Sequence, residues 1–528
     1  MTENNITATR EGLIAEIQRR VDDKILEQTN ADLLTKLIRN ADTLDEAMAI
    51  AQLGTTYKRT GLHYDKRLEK QRGNTIKYFK KNEELSFSDG TDSPHHKLII
   101  GDNYDALQNL LIQYRGKVDV IYIDPPYGKD SMGEFADTNY DNAITRDNLL
   151  SMLQPRLVLA KQLLTEEGTI FCSIDDKNHA YVKCLFDDVF GESNFEGQIH
   201  WRRRHNQPND KTKLIGIVAE HVLAYSKNHE FHKNFGIGKV GLTGKFSNPD
   251  NDPRGPWASK PWKTGSGQSG TRYEIITPTG KVYDEEWMGD EETYQTLFED
   301  GRILFPNNGN GSPRKKYYKS ERQAEGQCAT NWWSNKEFGC NQDATDELKS
   351  IFFGVCPFDN PKPTTLIKSL IQLGSIKDNA VILDFFAGTA TTAHASLLCN
   401  SEGLNYEFIM CQMNEVMEKN PHGIALDVTA PRLKRIMTGS CYNKSTKYPF
   451  YTGCNNFPWL NDNEPFGGSL DVYEIESVSN AEHICGKTPF DVIDETLYGQ
   501  EKFSTIEDKI RWVCENFEVT QNKLVEKE

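Results

Sequence analysis

The sequence predicts an α/β protein built on a doubly wound parallel sheet, with a helical segment before it and an irregular insert within it. Three observations carry that expectation. From Lys97 onward, short apolar runs of strand length alternate with helical stretches, and such alternation implies a parallel sheet. The alternation lapses between about Lys227 and Asn341, where Gly, Pro, Asn, Trp and Lys abound, and then resumes. Finally, 528 residues are too many for one core, since a domain typically takes ~100–200.

Residues 1–92 read as helical. Leu13, Ile14, Ile17, Val21 and Ile25 recur at helical spacing, as do Leu33, Leu34, Leu37 and Ile38. Thr43 followed by Glu46 fits a capping box that opens a further short helix. Residues 93–232 form the first half of the sheet, with strands at 98–100, 118–123 and 169–174 and a helix over 149–164. Residues 233–343 are the insert. Residues 344–440 complete the sheet with a helix around 365–373, a strand at 380–384, a helix from Thr391 and a strand at 406–412. Signals are weak over 441–528, whose role the pattern leaves open. No internal repeat is found.

The composition narrows the class. Hydrophobic residues make up 37% and charged ones 26%, and no apolar run approaches the ~18 residues of a spanning helix. The N-terminus lacks the basic-then-apolar plan of a secretory signal. Eleven cysteines at scattered spacing, with no Cys-x-x-Cys, argue against a disulfide scaffold or a zinc ribbon. A reduced, cytoplasmic protein without a metal is therefore expected. The net charge of -16 averages over faces of opposite character. Between Glu196 and Arg272 there are 13 Lys and Arg against 6 Asp and Glu, and between Lys58 and Lys81 there are 9 against 2. Basic stretches on an acidic background suit focused polyanion binding.

Two motifs carry chemistry. In the first, the buried run 118–123 leads straight into Asp124, Pro125, Pro126 and Tyr127. A residue before proline is pushed to an extended conformation, so the loop should stand rigid at the strand's carboxyl end. That end is where α/β sheets place ligands. The Asp124 carboxylate and the Pro125 carbonyl can accept both hydrogens of a ring-bound amine while Tyr127 stacks on the ring. An aniline-like nitrogen is a poor nucleophile, because its lone pair is delocalised. Holding both hydrogens favours the pyramidal nitrogen that attacks an electrophile, and the carboxylate stabilises the positive charge that develops.

In the second motif, a buried strand ends at Asp384 and a small-residue turn, Gly388-Thr-Ala, opens a helix. Such a turn lets a ligand approach the backbone closely. Glu415 follows the next strand at about the spacing where an acidic residue binds ribose hydroxyls, so a nucleoside cofactor is expected. No Walker-type Gly-x-x-x-x-Gly-Lys-Ser/Thr occurs, which argues against an ATP-driven motor.

Together, Asp124-Pro-Pro-Tyr127 and Asp384-Phe-Phe-Ala-Gly388 resemble the catalytic and cofactor motifs of DNA amino-methyltransferases that use S-adenosylmethionine. The catalytic motif comes first and the insert lies between, which resembles the permuted, beta-class arrangement. Stretches starting at Gly101, Gly168 and Glu220 resemble further sheet motifs, and Phe358-Asp-Asn-Pro-Lys-Pro363 resembles the segment that folds over the cofactor. Asn248 to Trp257 and Asp300 to Phe305 resemble, more specifically, the Mod subunits of Type III restriction–modification systems. The resemblance covers roughly residues 95–440.

It implies a Rossmann-like methyltransferase sheet with a mixed α/β target-recognition domain over 233–343. It also implies transfer of a methyl group to the N6 amine of a flipped adenine in duplex DNA. Asp124, Pro125, Pro126 and Tyr127 would be catalytic. Asp102, Phe358 and Lys362 would hold the cofactor together with Asp384, Phe386, Ala387 and Gly388. Thr389, Ala390, Thr391, Thr392 and Glu415 complete that set. The family's usual Gly-Ser-Gly-Thr turn reads Gly388-Thr-Ala-Thr391 here. Arg202, Arg203, Arg204, Lys211 and Lys213 lead into the insert, Arg254 lies in it, and Arg314, Lys315 and Lys316 lie further on. With neighbouring Trp201, Trp257, Trp262 and Tyr317 they suit phosphate anchoring and base contacts, so Arg203→Ala is expected to weaken DNA binding and flatten its salt dependence. A homodimer and a separate nuclease–helicase partner are inferences from the resemblance.

Two other readings stand beside it. The chain could serve mainly as the DNA-reading subunit of a nuclease–helicase complex. Alternatively, the amine could be N4 of cytosine, or belong to RNA or a protein glutamine. Asp at the first position favours adenine, and Asn-Pro-Pro-Tyr is the commoner form for glutamine. C5 of cytosine is disfavoured, since that chemistry requires a cysteine nucleophile and none lies near the loop.

Overall fold

A computed structural model describes residues 10–22, 26, 28–53, 75–90, 94–126, 145–207, 211–212, 214–236, 238–240, 245–325, 328–454, 456–479 and 488–521. The chain divides into two compact units, Met1–Asp65 and Lys66–Glu528. In the first, the helices Arg10–Asp22, Gln28–Asn40 and Leu44–Leu53 enclose a small core of Ile17, Leu34, Ile38 and Ala47. The Thr43 hydroxyl accepts from the Glu46 N–H at 3.1 Å, as a helix start requires.

The second unit is organised by a ten-stranded sheet. Its strands are β1 (Thr75–Lys81), β2 (His95–Ile100), β3 (Val118–Ile123), β4 (Leu164–Ile174), β5 (Phe195–Arg202), β6 (Ala219–Ser226), β12 (Trp332–Trp333), β13 (Val381–Asp384), β14 (Glu407–Gln412) and β15 (Ser469–Ser479). Their order is β1-β15-β2-β14-β13-β3-β4-β6-β5-β12. The six from β15 to β4 run parallel, while β1 and β6 are antiparallel to their neighbours. All six residues of β3 are buried, as expected of a strand covered on both faces.

The insert carries β7 (Trp257–Pro261), β8 (Thr271–Ile276), β9 (Val282–Trp287), β10 (Ile303–Leu304) and β11 (Arg314–Tyr318). They form a three-stranded sheet, β10-β11-β7, and a hairpin, β8-β9. Trp262, Ile275, Trp287 and Ile303 make a core separate from that of the main sheet.

One expectation needs correction. The helical reading of residues 1–92 ends early, because 75–81 form a strand. Within the segment whose role the pattern leaves open, residues 469–479 are integral to the sheet, because β15 lies between β1 and β2. The acidic residues that disguise β15 are cross-strand partners: Glu476 lies 2.7 Å from Lys80, and Asp471 lies 2.9 Å from Lys81. Leu470 and Val472 meanwhile face the core.

The direction of winding places the site. From β3 the chain steps to β4 on one side, and from β13 it steps to β14 on the other. β3 and β13 are direct neighbours, with Val120 opposite Ile382 and Ile121 opposite Leu383. This is a topological switch point, and the loops leaving the carboxyl ends of its two strands part to leave a crevice.

Candidate active site

Both motifs converge on that crevice. A cavity of about 430 Å³ is lined by Asp124, Pro125 and Pro126 from the loop after β3 and by Asp384, Phe386 and Gly388 from the turn after β13. Ala387, Thr389, Thr391, Thr392 and Glu415 also line it, and Phe358 and Lys362 form another wall. Tyr127 and Lys213 lie outside the described residues.

The turn after β13 is held by its own polar groups. Asp384 accepts from the Phe386 N–H at 2.9 Å and from the Thr392 hydroxyl at 2.6 Å. Burial, with a smaller push from nearby Asp124, nevertheless raises its carboxyl to about 7. Gly388 sits at φ +51, and a Cβ there would point toward the Phe358 ring, 3.8 Å away. Its N–H donates to the Gln412 side chain at 2.7 Å, and its carbonyl accepts from Thr429 at 2.6 Å. Ala390, where the resembled pattern has glycine, is left-handed at φ 61 and fully buried. It supports the turn from behind and is absent from the cavity wall.

Beneath the turn lies a buried charged group that sequence reasoning missed. Arg432 donates to the Thr389 hydroxyl and the Thr391 hydroxyl, both at 3.1 Å, and to Glu347 at 2.8 Å. Glu347 in turn accepts from Thr364 at 2.5 Å. His394, 3.0 Å from Arg432, is driven down to about 4 by burial, against the pull of Glu347. Nothing in the sequence pattern 430–438 distinguishes Arg432 from Arg435 or shows that it will reach some forty residues back.

Two residues expected at the cofactor make other pairings. Asp102 caps the helix Asn103–Tyr114 by accepting from the Tyr104 N–H and pairs with buried Arg156 at 3.0 Å. Its neighbour Asn103 lines the cavity instead, donating to the Phe385 carbonyl at 2.7 Å. Lys362 does line the cavity, but its ammonium lies 2.9 Å from Asp124 and 3.2 Å from Glu220. It pairs with the loop after β3 rather than with the glycine turn.

The basic set divides. Arg203 lies 2.6 Å from Glu220. Arg254 grips Asp252 through two 2.9 Å bonds and reaches Asp300 at 3.0 Å. Lys316 is buried against Asp250 and Asp252. All three are engaged by carboxylates, Arg203 at a position where phosphate anchoring is expected. Arg202 folds back onto the carbonyls of Arg204 and His205, and Arg314 onto Ser259. Arg204 and Lys211 are exposed, and Lys315 is half-exposed. Trp201 and Trp262 are core residues, while Trp257 donates to Asp250 at 2.8 Å.

His205, Cys340 and Asp343 bring their N, S and O atoms within 4.8 Å of one another. Cys340 and Asp343 do so by closing a capping box on the helix Asn341–Ile351, which accounts for the grouping. No described helix is long and apolar enough to cross a membrane.

The residues fit a nucleoside bearing a cationic amino-acid tail. An aromatic wall, an open glycine turn and an acid after the neighbouring strand suit the nucleoside. Asp384, kept partly neutral by burial, has charge to gain from a nearby cation.

A family model described as DNA methylase matches residues 118–420. A second, described as an uncharacterised conserved protein, matches residues 11–120. The chain is 34% identical over 355 residues to the Mod subunit of the Type III restriction–modification enzyme StyLTI from Salmonella typhimurium, covering 62% of this chain and 53% of that protein. It is 28% identical over 414 residues to the EcoP15I Mod subunit from Escherichia coli, covering 64% and 63%. With the Type II methyltransferase M.KpnI from Klebsiella pneumoniae it shares 29% identity over 380 residues, covering 67% and 89%. The chain thus spans from about half to under two-thirds of the length of the two Mod subunits.

Proposed function

Because the chain belongs to the N6/N4 DNA methylase family, matched over residues 118–420, we propose that it methylates the N6 amine of adenine in duplex DNA. The methyl donor is S-adenosylmethionine. The single observation that carries this reading is the shared cavity: the Asp124 loop and the Gly388 turn line one space at the sheet's switch point. A nucleophile held by the first can there face a donor held by the second.

S-adenosylmethionine supplies an electrophilic methyl group on a sulfonium. Glu415 would take the ribose hydroxyls, Phe358 would face the adenosine ring, and Asp384 would meet the cationic tail. The target amine is unreachable within a stacked duplex, so the base must be extruded into the cavity. Asp124 and the Pro125 carbonyl then accept its two hydrogens. The nitrogen lone pair, no longer committed to the ring, forms the bond to carbon as the sulfur–carbon bond breaks. Asp124 stabilises the positive charge on nitrogen until its proton passes to solvent. Adenine is preferred over cytosine because the loop begins with Asp.

Likeness to Mod subunits supports a place in a restriction–modification system, with a nuclease–helicase subunit as partner. Exposed Arg204 and Lys211, with Lys315, are the phosphate anchors the geometry favours. The test is methyl transfer from labelled cofactor to mixed-sequence duplex DNA, followed by digestion to nucleosides. Label in N6-methyladenine at one short sequence supports the reading. Label in N4-methylcytosine keeps the enzyme class and overturns the target. No label in DNA, with cofactor bound, overturns the activity.

A further inference from the structure

The strongest unassigned feature is a line of four alternating charges that ends on the catalytic loop. Arg203 pairs with Glu220 at 2.6 Å, Glu220 with Lys362 at 3.2 Å, and Lys362 with Asp124 at 2.9 Å. Glu220 and Lys362 are almost completely buried, so these are not screened surface pairs of small consequence. The elements carrying them are stiff. Lys362 precedes Pro363, which biases its backbone to extended conformations, and follows Pro361, whose own φ is fixed. Glu220 is fixed in β6 opposite Trp201 of β5. An ammonium on so constrained a stem has little freedom to leave the two carboxylates.

We propose that Lys362 is a positioning residue that holds the Asp124 carboxylate ionised and aimed into the cavity. Glu220, itself braced by Arg203, balances the lysine's charge. This rests on the methyltransfer reading above and assigns to one site a role beyond it. The balance matters because Lys362 acts in two opposed ways. Its ion pair orients Asp124 and keeps it charged, but a bare cation there would also oppose the positive charge that grows on the target nitrogen. Glu220 offsets that field while leaving the ion pair in place. Among the described residues, Tyr122, Cys172 and Asp384 also face Asp124. Burial keeps the first two protonated, and Asp384 is the third.

The arrangement predicts opposite effects from its two members. The experiment is single-turnover methyl transfer at saturating cofactor and DNA, as a function of pH, on wild type, Lys362→Met, Lys362→Arg and Glu220→Gln. Cofactor affinity is measured in parallel by calorimetry. Wild-type transfer to DNA tests the underlying reading, so its absence overturns that reading separately. In Lys362→Met the transfer rate should fall about tenfold or more, with cofactor affinity retained. Its acid limb should move to higher pH by about one unit or more, because a carboxylate that loses a neighbouring cation is easier to protonate. Lys362→Arg should return the limb toward its wild-type position. Glu220→Gln should move it the other way, to lower pH, because Lys362 then acts on Asp124 uncompensated. An unmoved acid limb, or a loss confined to cofactor affinity, overturns the proposal. Should Lys362→Met fail to fold, the direction of the Glu220→Gln shift decides.

Discussion

Asp384 holds the turn through the Phe386 N–H and the Thr392 hydroxyl, and in the proposed reading it also meets the ligand. Free of cofactor, its burial places the carboxyl near 7, so around neutrality it is only partly charged. A cationic ligand binds the ionised form more tightly, and linkage fixes the sign: cofactor affinity should rise as pH rises through about 7, with a proton released on binding. Calorimetry in two buffers of different ionisation enthalpy measures that release, and Asp384→Asn should abolish the dependence. At the same scale the basic residues separate by partner. Arg204→Ala or Lys211→Ala should each reduce the salt slope of DNA binding by about one. Arg203→Ala should leave the slope unchanged, since its guanidinium is engaged by Glu220; nitrocellulose or fluorescence titration across salt concentrations reads both. The residue types of the two motifs were legible because strand, proline and glycine signals are local. Pairings such as Lys362 with Asp124 and Arg432 with Thr389 were not, because each joins segments far apart in sequence.

The turn after β13 relies on neighbouring elements for its shape. A left-handed alanine costs of order 1–3 kcal/mol when the structure must enforce it, and here the enforcement comes from packing around Ala390 and the Arg432 cluster below. Removing Arg432 leaves half-buried Glu347 without its guanidinium partner and empties a buried site beneath the turn. Arg432→Ala should therefore cost about 2–3 kcal/mol of stability and weaken cofactor binding, as chemical denaturation and calorimetry would show. His394 adds a pH term. Its folded value of about 4 lies below its ordinary value, so the unfolded chain binds the proton first as pH falls. Stability should drop as pH is lowered from about 6.5 toward 4, and His394→Gln should flatten that slope in thermal melts. Buried apolar strands such as β3 and β13 announced themselves by composition. β1 and β15 did not, because their lysines and acids read as solvated surface until each strand supplies the other's counter-charges.

Across the second unit, sheet order rather than chain order decides what is essential. β15 is hydrogen-bonded to β1 on one side and β2 on the other, and the Tyr498 hydroxyl donates to Asn109 at 2.8 Å. A chain ending at residue 440 loses these contacts and bares the edge of β2, so it should be insoluble or fail to bind cofactor, although both motifs remain. The sequence's fade after Cys441 marks divergence from the resembled pattern, not the end of the fold. The sheet's parallel core, the insert and the order of the two motifs were readable from alternation and its lapse. The meeting of the motifs follows from β3 and β13 being neighbours, a tertiary fact that no local pattern contains. The most direct test of that meeting pairs two readouts on Asp124→Ala: cofactor affinity and single-turnover methyl transfer to duplex DNA. The account predicts near-wild-type affinity with transfer reduced about a hundredfold or more. Transfer at the wild-type rate would contradict it.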